Sequence, residues 1–344
     1  MIKRRLGVEI ELLAPRGKSR HDLARAIARH CGGSLKRIFY PQSEVSKVPG
    51  QPVFLNLVLG FEVRDHNGRW VATCVDDLTL QGDLVKSTPP RTGWYRILSD
   101  DARLLNLVSA QADPAQPLEH VLDPVARLFG TEPESGPNGM IRVVDKQGTP
   151  VAMAAPLPGE RERPCELITA PMDSDHQVQL EALLSLARDL DFQIPAEGAT
   201  HLHFDGQKLQ EARVLANLVL ILQKYGAALK ERVGVNPQCR RLGVWPAELA
   251  EIVSEPSFRD LNWTQVKERL TRLALTKYCD FNIVNLLKPR PDKLTFEVRI
   301  LPVSLQADPI LKWAKLFENV LDLASDNDVL ELPLADEPAF LESF

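Results

Sequence analysis

The sequence predicts an α+β fold built on a mostly antiparallel sheet. Short segments with the two-residue alternation of β-strands recur along the chain, and helical patterns are grouped between them without a regular strand–helix cadence. A hairpin is indicated over 53–81, where apolar and β-branched runs flank the turn Asp65-His66-Asn67-Gly68. These observations favour antiparallel neighbours, with one polar sheet face and helices packed on the other.

The individual elements follow from alternation, helical spacing and turn residues. The first helix is opened by Ser19 and closed near Gly32-Gly33, since Ser accepts hydrogen bonds from the free N–H groups of a helix start and Gly commonly ends a helix. The predicted strands cover about 4–13, 53–64, 69–81, 140–145, 150–155, 163–169, 199–205, 280–287 and 293–301. The further helices cover about 100–110, 118–129, 174–190 and 207–231, two segments within 248–275, and 308–324.

Length and composition indicate one large globular domain or two closely packed ones. At 344 residues, with 44% hydrophobic and 25% charged content, the chain can bury a sizeable core. Residues 1–325 are predicted to form a single domain. Prolines are frequent over 84–140, so this segment is predicted as an insertion. The acidic segment 326–344 is predicted as a C-terminal arm.

The charge balance excludes some classes of partner. A net charge of −5 gives no basic surface, so no nucleic-acid partner is expected, and an anionic ligand would need a local site. No uninterrupted apolar run approaches the ~20 residues that span a bilayer, so no membrane partner is expected. The basic start leads directly into Glu9 and Glu11 instead of an apolar signal region, so a cytoplasmic location is expected.

The five cysteines are odd in number, and no pair has metal-binding or redox spacing. They are predicted to be reduced core residues, which fits a reducing compartment. Cys165 lies beside Glu166, but alternation on a strand would point the two side chains to opposite faces. Cys165 is therefore not predicted as a nucleophile.

Three segments far apart in the chain share an unusual alternation of apolar residues with charged or metal-binding ones. They are Gly7-Val8-Glu9-Ile10-Glu11-Leu12, Thr200-His201-Leu202-His203-Phe204-Asp205 and Phe296-Glu297-Val298-Arg299-Ile300. Each predicts a strand with one buried apolar face and one face whose groups suit a metal or a phosphate. Side by side, the three strands would form one polar surface with catalytic potential.

Several carboxylates on one sheet face require cations. Glu9 and Glu11 lie two positions apart on a strand, roughly 7 Å between side chains, and Glu297 and Glu166 would bring the carboxylates to four. Each like-charge pair at about 4 Å costs on the order of 4 kcal/mol at an effective dielectric of 20. Carboxylate oxygens with few other ligands suit Mg²⁺ or Mn²⁺. No glycine-rich nucleotide loop of the common kinds occurs, so ATP would bind by another design.

Each motif also has an ordinary explanation when it is taken alone. A strand with Glu-x-Glu is commonly a solvated face, His-x-His a surface pair, and Glu-x-Arg an exposed ion pair worth at most about 1 kcal/mol. His203 could face solvent, and Asp205 is expected to cap the helix that begins near Gly206. The joint occurrence of the motifs favours a site. Cys165-Glu166-Leu167-Ile168-Thr169-Ala170-Pro171 adds a fourth strand end with a glutamate.

With these motifs in this order, the chain resembles the amidoligase family of carboxylate–amine ligases, whose fold is that of glutamine synthetase and glutamate–cysteine ligase. GVEIEL resembles the family's Glu-x-Glu strand, CELITAP its Glu strand that ends in proline, HLHFD its His-x-His strand, and FEVRI its Glu-x-Arg strand. The four motifs extend over most of the chain. The resemblance implies a glutamine synthetase-like catalytic domain.

The resemblance also implies a mechanism and a set of residues. Two ions of Mg²⁺ or Mn²⁺ would be held by Glu9, Glu11, Glu166, His201 and Glu297. His203 would lie near the ATP phosphates, and Arg299 would stabilise the γ-phosphoryl group as it passes to a substrate carboxylate. An amine would then attack the acyl phosphate to give an amide, with Glu166 and Glu297 among the catalytic groups.

Some positions depart from the family pattern. The nearest counterpart of its Asp-x-Ser segment is Asp76-Asp77-Leu78-Thr79, almost ninety residues before the Glu166 strand, so Asp77 is either a substrate or metal contact or a turn residue. Arg240 and Arg241 are either ligands of substrate and nucleotide phosphate or a solvated basic pair.

Other functions fit the same residues. A metal-dependent hydrolase would need no nucleotide. A guanidino phosphotransferase would be expected to use several arginines where this chain has carboxylates. A binding protein could use the polar face without catalysis. The expected partners of a ligase are a carboxylate and an amine, such as an amino acid, polyamine or peptide, and a homo-oligomer is compatible with the sequence.

Overall fold

The computed structural model describes residues 2–45, 53–288 and 293–326. The predicted C-terminal arm lies, beyond Asp326, outside the described residues. The described chain is a mixed α+β protein whose strand pairings are antiparallel, as the sequence predicts. Elements are numbered in chain order.

Alternating segments and apolar runs form the strands, and amphipathic segments form the helices. The described strands are β1 Leu6–Leu13, β2 Ser34–Val45, β3 Val53–Arg64, β4 Trp70–Val75, β5 Tyr95–Leu98, β6 Glu134–Ser135, β7 Ile141–Val144, β8 Pro150–Pro156, β9 Pro164–Thr169, β10 Thr200–Asp205, β11 Phe281–Asn282 and β12 Thr295–Leu301. The described α-helices are α1 Arg20–His30, α2 Ala102–Gln111, α3 Asp123–Phe129, α4 His176–Asp189, α5 Ala212–Val233, α6 Ala247–Ser254, α7 Trp263–Leu270, α8 Val284–Leu287 and α9 Ala307–Asp326.

The chain divides into two compact units. The first unit comprises Met1–Ile10, Pro171–Ser185 and Glu197–Phe344, and the second comprises Glu11–Ala170 and Leu186–Ala196. Strand β1 therefore begins in the first unit and ends in the second. The single-domain organisation predicted for 1–325 stays a prediction.

The first unit carries the strand order β11-β12-β10-β1, with β1 represented by its first residues. Its apolar sheet face is covered by helices: Phe296 and Val298 of β12 are fully buried, and α5 packs on that strand. Phe281 of β11 lies 6.0 Å from Phe317 of α9, measured between ring centroids. The opposite face is therefore left to polar side chains.

The start of β1 is held in place by a buried glutamate of α9. Glu318 accepts hydrogen bonds from the backbone nitrogens of Lys3 at 2.7 Å and Arg4 at 2.8 Å. Lys315 donates to the same carboxylate, and together the three donors hold the pKa of Glu318 below its usual value although burial raises it. The strand that carries Glu9 is thus fixed at its N-terminal end.

The second unit carries the strand order β9-β4-β3-β5-β8-β7-β6, and β2 pairs with β3. Helices α2 and α3 share one apolar core with β3, β5, β7 and β8, in which Ile97, Val108 and Val125 are fully buried. Helix α1 begins with the buried Arg20, whose guanidinium lies 4.2 Å above the Trp94 ring and donates to the Leu59 carbonyl.

Most predicted elements are confirmed, with four differences. β2 was not predicted, because Pro41 interrupts its alternation. β4 ends at Val75, where Asp76 and Asp77 turn the chain. The segment 84–140 contributes β5 and β6 to the sheet as well as its two predicted helices. The strand predicted over 280–287 ends at Asn282, because the Asn282 carboxamide accepts a hydrogen bond from the Val284 nitrogen and starts α8.

Helix α5 satisfies, by length and composition alone, the requirements for crossing a membrane. No membrane-spanning segment was expected from the sequence, because the apolar residues of α5 do not form an uninterrupted run. Polar residues such as Asn217 and Lys224 lie among them. In the structure 61% of its most apolar window is buried, and core helices of globular proteins pass the same test. The helix is weak evidence for a membrane.

All five cysteines are described and occur as thiols. Cys74, Cys165 and Cys279 are buried, as predicted for core residues, whereas Cys31 and Cys239 are half-buried. Burial raises the pKa of Cys165 well above its usual value, and burial raises the pKa of Cys279 to about 12. These buried thiols are therefore poor nucleophiles at neutral pH.

We predict that a thiol reagent such as DTNB titrates two cysteines quickly in the native protein and all five in denaturant. Cys31→Ser and Cys239→Ser should each remove one fast equivalent, since reaction requires an accessible thiolate. Fast labelling of Cys165 or Cys279 in native buffer would show that the burial described for them is wrong.

Candidate functional site

The polar side chains of β1, β10 and β12 face one another because of the strand register. Glu9 pairs with His201, and His203 pairs with Glu297. Residues directly opposite in antiparallel strands place their side chains on the same face. Residues from three distant parts of the sequence thus meet on the polar face of the first unit. We call Glu9, His201, His203 and Glu297 the carboxylate–histidine cluster.

A register shift lies beside this cluster. Leu202 pairs with Val298, whereas Thr200 pairs with Leu301, so two steps along β10 correspond to three along β12. Such bulges bend a strand and redirect its side chains. The extra residue falls in the stretch of β12 that carries Arg299.

The cluster is compact and buried. One ligand atom from each of Glu9, His201 and Glu297 lies within 4.8 Å of the others. The His201 Nδ1 atom is 3.4 Å from Glu9 Oε2 and 3.7 Å from Glu297 Oε1. Because all three residues are at most 6% exposed, water screens their charges poorly.

His203 lies against the same two carboxylates. Its Nδ1 atom is 3.0 Å from the Thr295 hydroxyl oxygen, and its Nε2 atom is 3.1 Å from Glu9 Oε1 and 3.7 Å from Glu297 Oε1. The short Nε2 approach does not have the angle of a hydrogen bond, so this buried nitrogen makes none. One nitrogen of the His203 ring, Nδ1, therefore contacts Thr295, and the other, Nε2, faces the two carboxylates.

Both oxygens of Glu297 have donors. Arg299 Nη1 donates to Oε1 at 2.5 Å, and the Asn282 carboxamide donates to Oε2 at 2.6 Å. The Asn282 carboxamide is itself oriented by the hydrogen bond that its oxygen accepts from Val284. Glu297 is therefore held in one orientation from both sides.

Lys293 supplies a further positive charge. Its ammonium nitrogen lies 2.8 Å from Glu9 Oε1. The adjacent backbone is brought in close by Gly206, whose nitrogen donates to the Leu294 carbonyl at 3.0 Å. A Cβ atom on Gly206 would come within 2.3 Å of a Leu286 methyl carbon and 3.1 Å of the Leu294 oxygen, so glycine permits this approach.

The carboxylates are held ionised against the cost of burial. Burial raises the pKa of Glu9, but the charges of His203 and Lys293 and a hydrogen bond with His201 hold it well below its usual value. Burial likewise raises the pKa of Glu297, and the charge of Arg299 above all lowers it. Two negative charges therefore remain in this cluster at neutral pH.

The pKa of His201 is lower than that of an exposed histidine. Burial and the nearby charge of Arg299 lower its pKa to about 4, although Glu9 and Glu297 raise it. The imidazole is therefore neutral at neutral pH, which is the form that can bind a metal ion.

The donor set fits a divalent cation. Two ionised carboxylates and a neutral imidazole lie within the reach of one ion, and the buried Nε2 atom of His203 points at both carboxylates without a hydrogen bond. A cation between these groups would satisfy the carboxylates and the ring nitrogen together.

The other predicted carboxylates belong to the second unit. Glu11 is fully buried on β1, and Glu166 is half-buried on β9, where it pairs with Val75 of β4. Their part in a metal site stays a prediction.

Asp77 is buried in the turn after β4, where its carboxylate accepts hydrogen bonds from the Thr79 nitrogen at 2.8 Å and hydroxyl at 2.5 Å. Asp77 thus shapes this turn, and its contact with substrate stays a prediction.

The two predicted basic residues differ in exposure. The Arg240 side chain is 85% exposed and lies 3.7 Å from a Glu197 oxygen, whereas Arg241 is half-buried. Their contacts with substrate or nucleotide stay predictions. Asp205 accepts a hydrogen bond from the Gln207 nitrogen in the turn after β10, but the α-helix that it was expected to cap begins at Ala212, with Glu211 as its N-cap.

Three residues of the site were missed by the sequence reasoning. Thr295 and Lys293 extend the alternation of Glu297 and Arg299 backwards along the chain, and this continued pattern could have identified them. Asn282 lies in a two-residue strand, and its sequence neighbours give no comparable signal.

We predict that Asn282→Asp lowers stability much more than Asn282→Ala. The alanine variant leaves a buried Glu297 oxygen without its donor, at a cost of about 1–3 kcal/mol. The aspartate variant places a second charge there, at a cost of about 4 kcal/mol at neutral pH. The new aspartate would have a raised pKa, so its extra cost should be relieved as pH falls through that pKa. Urea unfolding at pH 7.5 and 5 measures the difference, and equal losses for both variants would contradict the described geometry.

The fold and the cluster together define an α+β protein with a candidate metal centre on an antiparallel sheet. The family model described as "putative amidoligase enzyme" matches residues 2–321. The chain therefore belongs to the amidoligase family, which confirms the resemblance seen in the motifs. Family membership supports an amide-bond-forming ligase. The comparisons with curated proteins and with solved structures give no match.

Proposed function

We propose that the protein is an ATP- and Mg²⁺- or Mn²⁺-dependent carboxylate–amine ligase on a glutamine synthetase-like fold. The observation that carries this proposal is the carboxylate–histidine cluster, in which buried Glu9, His201 and Glu297 converge within 4.8 Å beside Arg299. The family supports ligase chemistry, and the cluster would hold a cation whose positive charge phosphoryl transfer needs.

The residues of the first unit would have separate roles in binding the metal ion and in stabilising the transferred phosphoryl group. Glu9, His201 and Glu297 would hold a divalent cation, with His203 beside them. The ion, when bound, neutralises phosphate charge and orients the transferring group. Arg299 is buried and fixed on Glu297, so its guanidinium is preorganised to stabilise charge on the transferred phosphoryl group. The metal-binding roles that the family motifs imply for Glu11 and Glu166 stay predictions.

The proposed reaction has two steps. A substrate carboxylate oxygen attacks the γ-phosphorus of ATP, the bond to the β-phosphate oxygen breaks, and ADP leaves with an acyl phosphate remaining. An amine nitrogen then attacks the acyl carbon, the carbon–oxygen bond to phosphate breaks, and an amide and inorganic phosphate are formed. The amine loses one proton, for which a carboxylate of the polar sheet face is the proposed acceptor.

The substrates are defined here only as a carboxylate and an amine. Amino acids, polyamines and peptides all contain the required groups. Loops on a sheet scaffold commonly set such specificity, so the segment 84–140 is a candidate determinant.

Calorimetric titration with a non-hydrolysable ATP analogue, with and without Mg²⁺, tests the proposal first. We expect micromolar binding that requires the metal, followed by phosphate release when a matching carboxylate and amine are supplied with ATP. Binding of metal without nucleotide under every condition would favour a metal-dependent hydrolase and contradict the ligase.

We predict that Arg299→Ala reduces ATP turnover by at least about a hundredfold. Removing a group that stabilises transition-state charge typically causes a rate loss of this size. The matched control is Arg4→Ala, which removes an arginine paired with Asp322 at 2.6 Å in the same unit. The control should retain turnover. Near-wild-type turnover in Arg299→Ala would remove Arg299 from the mechanism.

We predict that Glu9→Gln weakens metal-dependent nucleotide binding, because the neutral carboxamide is a poorer ligand for a hard cation. Glu318→Gln is the control, since it neutralises another buried glutamate that holds backbone nitrogens instead. The control variant should lose stability and keep nucleotide affinity. Equal nucleotide affinity in Glu9→Gln and the wild type would contradict the site.

A further inference from the structure

Lys293 occupies a position at which its ammonium group would compete with a bound metal ion. Its Nζ atom lies 2.8 Å from Glu9 Oε1, the same oxygen that lies 3.1 Å from His203 Nε2. A metal ion held by Glu9 through this oxygen and by the histidine would have to approach the space next to the ammonium. Two cations at one carboxylate oxygen repel each other, so the contact and the metal bond weaken one another.

The backbone of Lys293 is held beside the cluster, whereas its side chain is flexible. Gly206 allows the Leu294 backbone to lie against the end of β10, and Thr295 contacts both His203 and Asn285. This arrangement holds the lysine backbone beside the cluster. The side chain is 27% exposed, so its ammonium can move towards solvent without unfolding the strand.

Arg299, the other cation beside the two carboxylates, is held more firmly than Lys293. It is nearly buried, and its guanidinium donates to Glu297 at 2.5 Å. Lysine carries a compact charge on a four-carbon stem, which suits a contact that is exchanged. Of the two cations, Lys293 is therefore the one that can leave its carboxylate.

We propose that Lys293 is a positioning residue of the site that couples metal binding to polyphosphate binding. The divalent cation displaces the ammonium from Glu9, and the displaced ammonium pairs with the phosphates of the bound nucleotide. The metal alone then binds weakly, because it must break the Lys293–Glu9 contact. A nucleotide offers the ammonium a new anionic partner and strengthens metal binding, and by linkage the metal strengthens nucleotide binding by the same factor.

This inference rests on the proposed function and is tested by binding, without turnover. Mn²⁺ is titrated into the full-length protein, with free Mn²⁺ followed by electron paramagnetic resonance, in the absence and presence of a non-hydrolysable ATP analogue. The variants are Lys293→Met, Lys293→Arg and the control Lys315→Met. The control removes a lysine 2.7 Å from a buried glutamate elsewhere in the first unit.

We expect Lys293→Met to bind Mn²⁺ alone about tenfold more tightly than the wild type, which corresponds to about 1.4 kcal/mol. The strengthening of Mn²⁺ binding by the ATP analogue should fall by a similar factor. Lys293→Arg keeps a cation and should restore most of the coupling, and Lys315→Met should match the wild type. A residue with only a structural role would not make metal binding tighter when it is removed.

The outcomes separate the two proposals. If the wild type binds Mn²⁺ and the analogue cooperatively and Lys293→Met leaves both affinities unchanged, the Lys293 inference is overturned and the ligase proposal stands. If the wild type binds neither Mn²⁺ nor the analogue, the proposed function fails and the inference fails with it.

Discussion

The first unit depends on keeping two carboxylates ionised in a buried position. Glu9 and Glu297 are 6% and 2% exposed, and each retains its negative charge because cationic or hydrogen-bonding groups surround it. Burying an uncompensated charge is expensive, so the strands must bring the histidines, Arg299 and Lys293 to the same place. The strand register, the bulge beside Arg299 and the close approach at Gly206 all serve this requirement.

Much of the site could be predicted from the sequence because its side chains lie on strands with regular alternation. Alternation in β1, β10 and β12 fixes which residues share a face, so the sequence predicts one polar surface that contains Glu9, His201 and Glu297. Family motifs added the chemical interpretation. Antiparallel pairing followed from the hairpin around Asn67-Gly68, where local turn chemistry determines the connection.

The remainder depends on interactions that local patterns do not encode. β2 pairs with β3 through twelve residues, yet Pro41 and its polar neighbours hide the strand pattern. Asn282 acquires its role only when β11 pairs with β12, since its partner Glu297 is fifteen residues away along the chain. The turn at Asp77 is held by Thr79 and by Arg161, whose guanidinium donates to the Asp77 carbonyl. Sequence alone could not choose between that turn and a ligand contact.

The way the first unit is assembled bears on how the protein is made. Glu9 meets His201 across 192 positions and Lys293 across 284, whereas the second unit ends at Ala196. At synthesis rates of 5–20 residues per second, the stretch from Glu9 to Lys293 takes roughly 15–60 s to emerge. For roughly the first two thirds of that interval Glu9 lacks His201, and until its end Glu9 lacks Lys293, whereas the second unit is complete once Ala196 has emerged. The nascent chain therefore exposes the apolar face at the start of β1 until β10 has emerged, which makes this segment a target for chaperone binding during translation.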